Sequence, residues 1–423
     1  MTASTPSSDA VIYTAVTYLD VEAGTWRTAD IHVDDGRIIR IRDHSERAES
    51  SEDPSPASAV RRVDLSGHRV LPGLIDCHVH VYAMSANLAT LSTQAPSYLA
   101  MHAARLMGDM LDRGFTTVRD VAGGDFGLAD AQAEGLLRGP RLFFGGKAIS
   151  QTGGHADTRG RGDHSATGTG CCPAIGVIAD GPDAVRLAVR DQLRTGAHHV
   201  KIMAGGGVAS PTDRVDSIQY SLAEMQAAVE EAEDANRYIA AHAYTPGAIG
   251  RAIRAGVRSI EHANLMDPDT AEAIGDAGAF VTMNLVTYWA LKEFGPSLGL
   301  PPESHAKVDD VLEAGEVALR LADEAGLNLC YGTDLLGDMQ IHQNEEFAIR
   351  ARHQEPIDVI RSATTTAAKL LQREGELGVI REGAHADLLV LDRDPLTDIT
   401  ALSEPDPVHV IQGGRIVRSR TGP

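Results

Sequence analysis

Leu71-Pro72-Gly73-Leu74-Ile75-Asp76-Cys77-His78-Val79-His80 is the stretch whose reading decides the fold. Pro72 and Gly73 bend the chain into a short run in which apolar residues alternate with Asp76, His78 and His80. Side chains along a strand alternate between faces. His78 and His80 therefore share a face with Asp76, while Ile75, Cys77 and Val79 point into an apolar layer. Two imidazoles on one face can hold a metal ion at the usual nitrogen distance of about 2.1 Å. A solitary His-x-His also occurs among ordinary surface histidines, so the reading needs partners elsewhere in the chain.

Outward from this stretch, strands alternate with helices. Strand candidates lie at 74–80, 115–120, 141–147, 198–203, 238–243, 258–262, 279–284 and 327–333, with amphipathic stretches at 98–113, 183–195, 222–235, 246–255 and 308–325. Eight strands alternating with helices predict an α/β fold, a (β/α)8 TIM barrel over residues 71–375. In such a barrel the working residues sit at the C-terminal ends of the strands. Strand four carries Lys201 within His199-Val200-Lys201-Ile202-Met203, a charge among apolar neighbours that a core does not accept without a partner. Strand five places His242 and Tyr244 on one face, strand six ends in Glu261-His262, and Gly332-Thr333-Asp334 closes strand eight. Any one of these has a bland reading as a satisfied polar residue or a turn. Six metal-competent residues at five strand ends (His78, His80, Lys201, His242, His262 and Asp334) make a metal site the expected reading.

The chain ends have a different texture. Residues 11–42 alternate apolar and polar as short antiparallel strands, 43–60 are too polar and proline-broken to pack, and 63–70 read as one further strand. After strand eight, residues 355–371 read as a helix with Thr364-Thr365-Thr366 near its middle, and the tail returns to strands around Leu388-Leu389-Val390-Leu391 and Val408-His409-Val410-Ile411. Chain ends commonly lie close together. Residues 9–70 and 376–419 are expected to form one composite β-sandwich domain.

Composition narrows the class. The 423 residues carry a formal net charge of −21, with 43% hydrophobic and 23% charged residues. A chain this acidic argues against nucleic-acid or anionic-membrane surfaces, which are bound by Lys/Arg excess. Cys77, Cys171, Cys172 and Cys330 form neither a disulfide framework nor a spaced thiolate motif, and Cys171-Cys172 is expected to have no role. No basic-then-apolar leader and no run of 18 apolar residues is visible, so a cytoplasmic protein is expected.

An ammonium among metal ligands repels the metal. Lys201 makes sense there if it reacts with carbon dioxide to give a carbamate, whose two anionic oxygens can bridge two divalent cations. His78, His80 and Asp334 would then bind one ion, and His242 and His262 the other, about 3.5–4 Å away with a hydroxide between them. Water bound to a metal loses its proton near pH 7, one ion polarises a carbonyl, and Asp334 is placed to carry the proton to the leaving group. Ligands of this kind accept zinc, manganese or cobalt, with zinc the first expectation.

Together these residues resemble the metal-dependent amidohydrolase superfamily: the Pro-Gly-x-Ile-Asp-x-His-x-His opening, Lys201, His242, Glu261-His262, Gly332-Thr333-Asp334 and the closing segment from Gly378 to Leu388. Within it the chain is similar to the imidazolonepropionase-like branch that includes Xaa-Pro dipeptidases and ochratoxin-type amidases. The shared pieces are Thr152-Gly153-Gly154-His155, Lys201 to Gly207, Ser210-Pro211-Thr212-Asp213, His242-Ala243-Tyr244 and Tyr331 to Gly337. The resemblance implies hydrolysis of a C–N bond beside a carbonyl, contact of His155 and Tyr244 with the substrate or its oxyanion, and a homo-oligomer. The expected substrate is a small molecule, a dipeptide or N-acyl amino acid, with aryl amides, phenylureas and carbamates as the alternative. Loops at 151–172 and 286–302, the latter with Tyr288, Trp289 and Phe294, are expected to decide between them. Arg159, Arg161 and Arg214 are candidates to clamp a substrate carboxylate. A mononuclear deaminase typically carries Glu three residues after the strand-five histidine, where this chain has Thr245, and a non-catalytic scaffold should have lost ligands that are all present here.

Overall fold

The computed structural model describes residues 10–43, 60–160, 162–164, 174–210, 213–404 and 406–420. The polar segment at 44–59, Arg161, Cys171-Cys172 and Pro211-Thr212 lie outside the described residues. The chain divides into two compact units. One draws on residues up to Ile75, on Leu111–Thr116 and on the chain from Glu355 onward; the other on Asp76–Met110 and Thr117–Gln354.

The first unit is built on an eight-stranded sheet. Strands Val11–Asp20, Thr25–Asp34 and Arg37–Asp43 form an antiparallel meander. The strand Arg69–Pro72 pairs antiparallel with Leu388–Leu391 in the register Val70↔Val390, so both ends of the chain share one continuous ladder rather than two separately bonded sheets. Residues 63–70 are not one strand: Arg61–Asp64 and Arg69–Pro72 are separated by a turn with Gly67 at φ +80°. Val16, Ile31, Ile38, Val70, Leu388 and Val390 form its core, as the period-2 pattern requires. Residues 355–371 make two helices, Pro356–Ser362 and Thr365–Leu370. Thr364 between them leaves helical geometry at φ −138° and ψ −94°, and its β-branched side chain donates back to Ile360 O.

The second unit alternates strands and helices. The strands are Leu74–Val79 and Phe115–Asp120 (each begun in the first unit), Arg141–Phe144, Val200–Met203, Ile239–Ala243, Ser259–His262, Phe280–Thr282 and Asn328–Cys330, with parallel pairing along the series from Phe115–Asp120 to Arg141–Phe144 and from Val200–Met203 to Asn328–Cys330. The third strand breaks at Gly145-Gly146 and resumes as Ala148–Ser150. Backbone bonds link its ladders: His198 N–H donates to Phe144 O at 2.9 Å, and Cys77 N–H to Tyr331 O at 2.8 Å. The helices begin where their caps dictate. Ser221 and Glu224 make a reciprocal capping box at Leu222–Asp234, an arrangement worth about 1 kcal/mol. Thr245, where a deaminase would carry Glu, caps Pro246–Ala255 through the Ala248 N–H. The expected loop at 286–302 contains a helix, Leu285–Phe294, whose Leu285, Val286, Tyr288 and Leu291 are buried. An apolar run with a core-facing side gains more by packing as a helix than by lying open as a loop.

Candidate metal centre

His78, His80, Lys201, His242, His262 and Asp334 all line one cavity of about 260 Å³ in the second unit, together with His155 and Tyr244. The strands carry His78, Lys201, His242 and His262, and His80 and Asp334 follow just after strand ends. Asp76 is the exception on its face. It is wholly buried and accepts from His78 N–H (3.0 Å), Thr333 Oγ1 (2.7 Å) and Gln343 Nε2 (2.8 Å), so it braces the His78 strand against the segment after strand eight.

Most of the histidines have one ring nitrogen engaged by a carbonyl or carboxylate. His80 Nδ1 meets Ala122 O at 2.8 Å, and His242 Nε2 meets Gly206 O at 3.0 Å. His78 Nδ1 meets Glu261 Oε2 at 2.8 Å, while the other oxygen of Glu261 accepts from Arg119 at 2.7 Å and from Ser259 Oγ at 2.6 Å. A carbonyl or carboxylate can only accept, so in each case the opposite nitrogen is left with a lone pair. Burial alone would raise the Glu261 carboxyl, but Arg119 and His78 hold it well below the usual range. On the free side, His78 Nε2 and His80 Nε2 lie 3.4 and 3.1 Å from Asp334 Oδ1. One donor atom from each of these three residues falls within 4.8 Å of the others. The His262 ring lies 5.1 Å from that of His78 and 4.5 Å from that of His242, centre to centre.

Lys201 is 2% exposed, and burial brings its pKa down to about 8 against the opposing charges of Glu261 and Asp334. Burial also keeps His242 and His262 well below the normal imidazole value, hence neutral. Burial would raise Asp334, yet His78 and His80 hold its carboxyl well below the ordinary range. Neutral imidazoles, an ionised carboxylate and an amine that readily sheds its proton form a donor set that fits divalent cations. The backbone is strained at this point: His262, Asp334 and Asn284 sit at φ +80°, +51° and +55°. Such conformations cost about 1–3 kcal/mol each and gather at functional sites.

The upper wall is made differently. The His155 ring stacks on His242 at 4.2 Å, its Nδ1 lies 2.9 Å from Ser210 Oγ, and the backbone N–H of His155 donates to Gln219 Oε1 at 2.9 Å. A Cβ on Gly207 would come within 2.0 Å of this ring, so only glycine lets the strand-four loop pass. Tyr244 meets His242 edge-on at 4.8 Å. Its hydroxyl lies 3.0 Å from that of Tyr288, which lies 2.8 Å from His262 Nδ1. Tyr288 is thus a wall residue of a helix, not part of a loop, while Trp289 is 37% exposed and does not line the cavity. Two clamp candidates are corrected: Arg159 forks onto Asp157 and Arg214 onto Asp216, and neither lines the cavity. Arg161 lies outside the described residues. Sequence reasoning missed Arg119, Asn284 and the part played by Glu261. Arg119 carried the same signal as Lys201, a charge inside an apolar strand, whereas Asn284 carried none.

The amidohydrolase family model matches residues 69–417. The ochratoxinase of Aspergillus niger is 33% identical over 373 residues, covering 84% of this chain and 77% of that protein. A crystal structure of a prolidase complexed with N-methylphosphonate-L-proline superposes with a TM-score of 0.92 at 44% identity, covering 97% of this chain and 100% of the other. A Xaa-Pro dipeptidase with bound methionine in its active site superposes with a TM-score of 0.84 at 29% identity, covering 97% of this chain and 100% of the other.

Proposed function

We propose, from the premise that this chain belongs to the amidohydrolase family and hydrolyses C–N bonds, that it cleaves the amide of a dipeptide or N-acyl amino acid with two divalent metal ions. We read its parallel strands as a closed (β/α)8 barrel, supported by the Cys77–Tyr331 and His198–Phe144 backbone bonds. His78, His80 and Asp334 would hold one ion, His242 and His262 the other, with Lys201, carboxylated by carbon dioxide, between them. Zinc is the first candidate, with manganese or cobalt as substitutes. When bound, such ions supply Lewis acidity toward a carbonyl and a nucleophilic water at neutral pH.

The chain's own residues do the rest. Asp334 Oδ2 faces the cavity 4.0 Å from His262 Nδ1, and its ionised state lets it take a proton and return it to the leaving amine. Tyr244 aims a phenol from the strand-five face, and His155 a ring held by Ser210, at the position of a developing oxyanion. Lys201 is buried enough to be uncharged in a substantial fraction of molecules near pH 8, the form that reacts with carbon dioxide.

The observation that carries this reading is the set of ring nitrogens turned toward the cavity beside Asp334 and a buried lysine. The substrate class is supported by the likeness to the prolidase complexed with N-methylphosphonate-L-proline. One observation favours a second class, neutral aryl amides and ureas: among the described residues no arginine lines the cavity, and Leu88, Ile175, Met203, Val208 and Leu291 do. A hydrolysis screen of zinc-loaded protein separates the two, with a His78→Ala/His80→Ala control. Turnover confined to Xaa-Pro and N-acyl amino acids is expected; turnover confined to neutral aryl substrates overturns the substrate class. Indifference of every activity to prolonged chelation overturns the metal dependence.

A further inference from the structure

Asn284 lies where strand seven runs into the helix Leu285–Phe294. An asparagine before a helix normally caps it, a contribution of about 1 kcal/mol. This one does not: its side chain makes no capping bond, and the Val286 N–H is taken by Glu346 Oε2 at 2.7 Å from a separate helix, Glu345–Arg350. The residue is completely buried and holds the left-handed backbone at φ +55° and ψ +46°. Its amide nitrogen lies 2.9 Å from His78 Nδ1 and 3.3 Å from His262 Nδ1. Its buried amide oxygen has no hydrogen-bond partner among the described residues. Space is kept for it, since a Cβ on Gly332 would come within 2.5 Å of that oxygen.

The hydrogen-bond balance decides the protons. Glu261 is ionised by its 2.7 Å pair with Arg119, so the 2.8 Å contact to His78 requires a proton on His78 Nδ1. An amide N–H facing that proton sets donor against donor. Turning the amide by 180° removes the conflict and makes its oxygen a second acceptor for Nδ1–H of His78 and Nδ1–H of His262, with the amide N–H groups on the side where the oxygen had no partner. Tyr288 then accepts from the same His262 proton or donates onward to Tyr244.

We propose that Asn284 is a positioning residue, oriented by the His78 Nδ1 proton that Glu261 sets, that fixes the Nδ1 proton of His262 on the other side of the site and so leaves both Nε2 lone pairs for the cavity. This rests on the metal-dependent reading above. Partners of this kind typically account for 10–100-fold in metal affinity.

Asn284→Gly tests it cleanly, because glycine adopts the left-handed backbone without strain and only the amide is lost. In competition against a chromogenic chelator, zinc affinity is expected to fall about 10–100-fold in Asn284→Gly and to stay within a few-fold of wild type in Asn284→Asp, which keeps an acceptor. Unchanged affinity in Asn284→Gly overturns the proposal. A second readout needs neither metal nor variant: imidazole ¹⁵N shifts of the zinc-free wild type should show Nδ1–H for both rings, and Nε2–H on either overturns the proposal. If the wild type binds no zinc while both rings carry Nδ1–H, the metal reading falls and Asn284 keeps its role in setting the rings.

Discussion

The floor of the cavity and its upper wall are built on different terms. On the floor, His78, His242 and His262 sit within strands, His80 and Asp334 just beyond them, and Lys201 inside one. His78, His80 and His242 are each pinned through one ring nitrogen by the backbone or by a buried carboxylate. On the wall, His155 is seated by Ser210 and Gln219, and Tyr244 by Tyr288, all through side chains from other segments. A floor fixed by strand geometry tolerates no loss of a member. A wall assembled from side chains should lose activity in steps.

The largest expected effect lies on the floor. Lys201→Ala removes the proposed carbamate, and with it several kcal/mol of charge stabilisation, a loss of roughly 10³-fold or more in kcat/KM. Short carboxylic acids such as acetate or propionate should restore part of it by filling the space with an anionic oxygen pair. Full activity in the variant would erase the distinction between floor and wall. Activity lost without any rescue would keep Lys201 essential but remove the carbamate.

What was legible in the sequence follows the same division. Period-2 alternation fixes which way a strand residue points, so the six floor residues and the five strands that carry or lead into them were readable, the strand ends displaced by a few residues. The wall was not. Val286 to Phe294 mix apolar residues with Thr287, Lys292 and Glu293, and only packing of Tyr288 and Leu291 against the core shows that they are helical. Arg159 and Arg214 were plausible clamps until their near neighbours Asp157 and Asp216 proved to hold them. Asn284 was invisible because its role depends on the rings of residues far away in the chain, His78 above all, and on Glu346 having taken over the helix cap.

A smaller but still large effect is expected at Asp334. Asp334→Asn keeps the shape and the bond its backbone carbonyl accepts from Thr287, but the amide cannot accept a proton. The rate should fall by about 10²–10⁴-fold, the range for a lost general acid–base group, with circular dichroism unchanged. Turnover within a few-fold of wild type would remove Asp334 from proton transfer and leave it a ligand only.

The smallest of these effects belongs to the wall and sharpens the comparison most. Tyr288→Phe keeps the buried ring and deletes one hydroxyl, which joins Tyr244 and His262 at 3.0 and 2.8 Å. A hydrogen bond of this kind contributes about 0.5–1.5 kcal/mol, so kcat/KM should fall about three- to tenfold. If Tyr288 acts by orienting the Tyr244 hydroxyl, the double variant Tyr244→Phe/Tyr288→Phe should be no slower than Tyr244→Phe alone. Residues that act as a unit are non-additive, whereas independent ones add. Multiplying effects would mean that Tyr288 works through His262 instead, and zinc affinity should then fall in Tyr288→Phe as well. That outcome would move Tyr288 from the wall to the floor, on the strength of one hydroxyl between two rings.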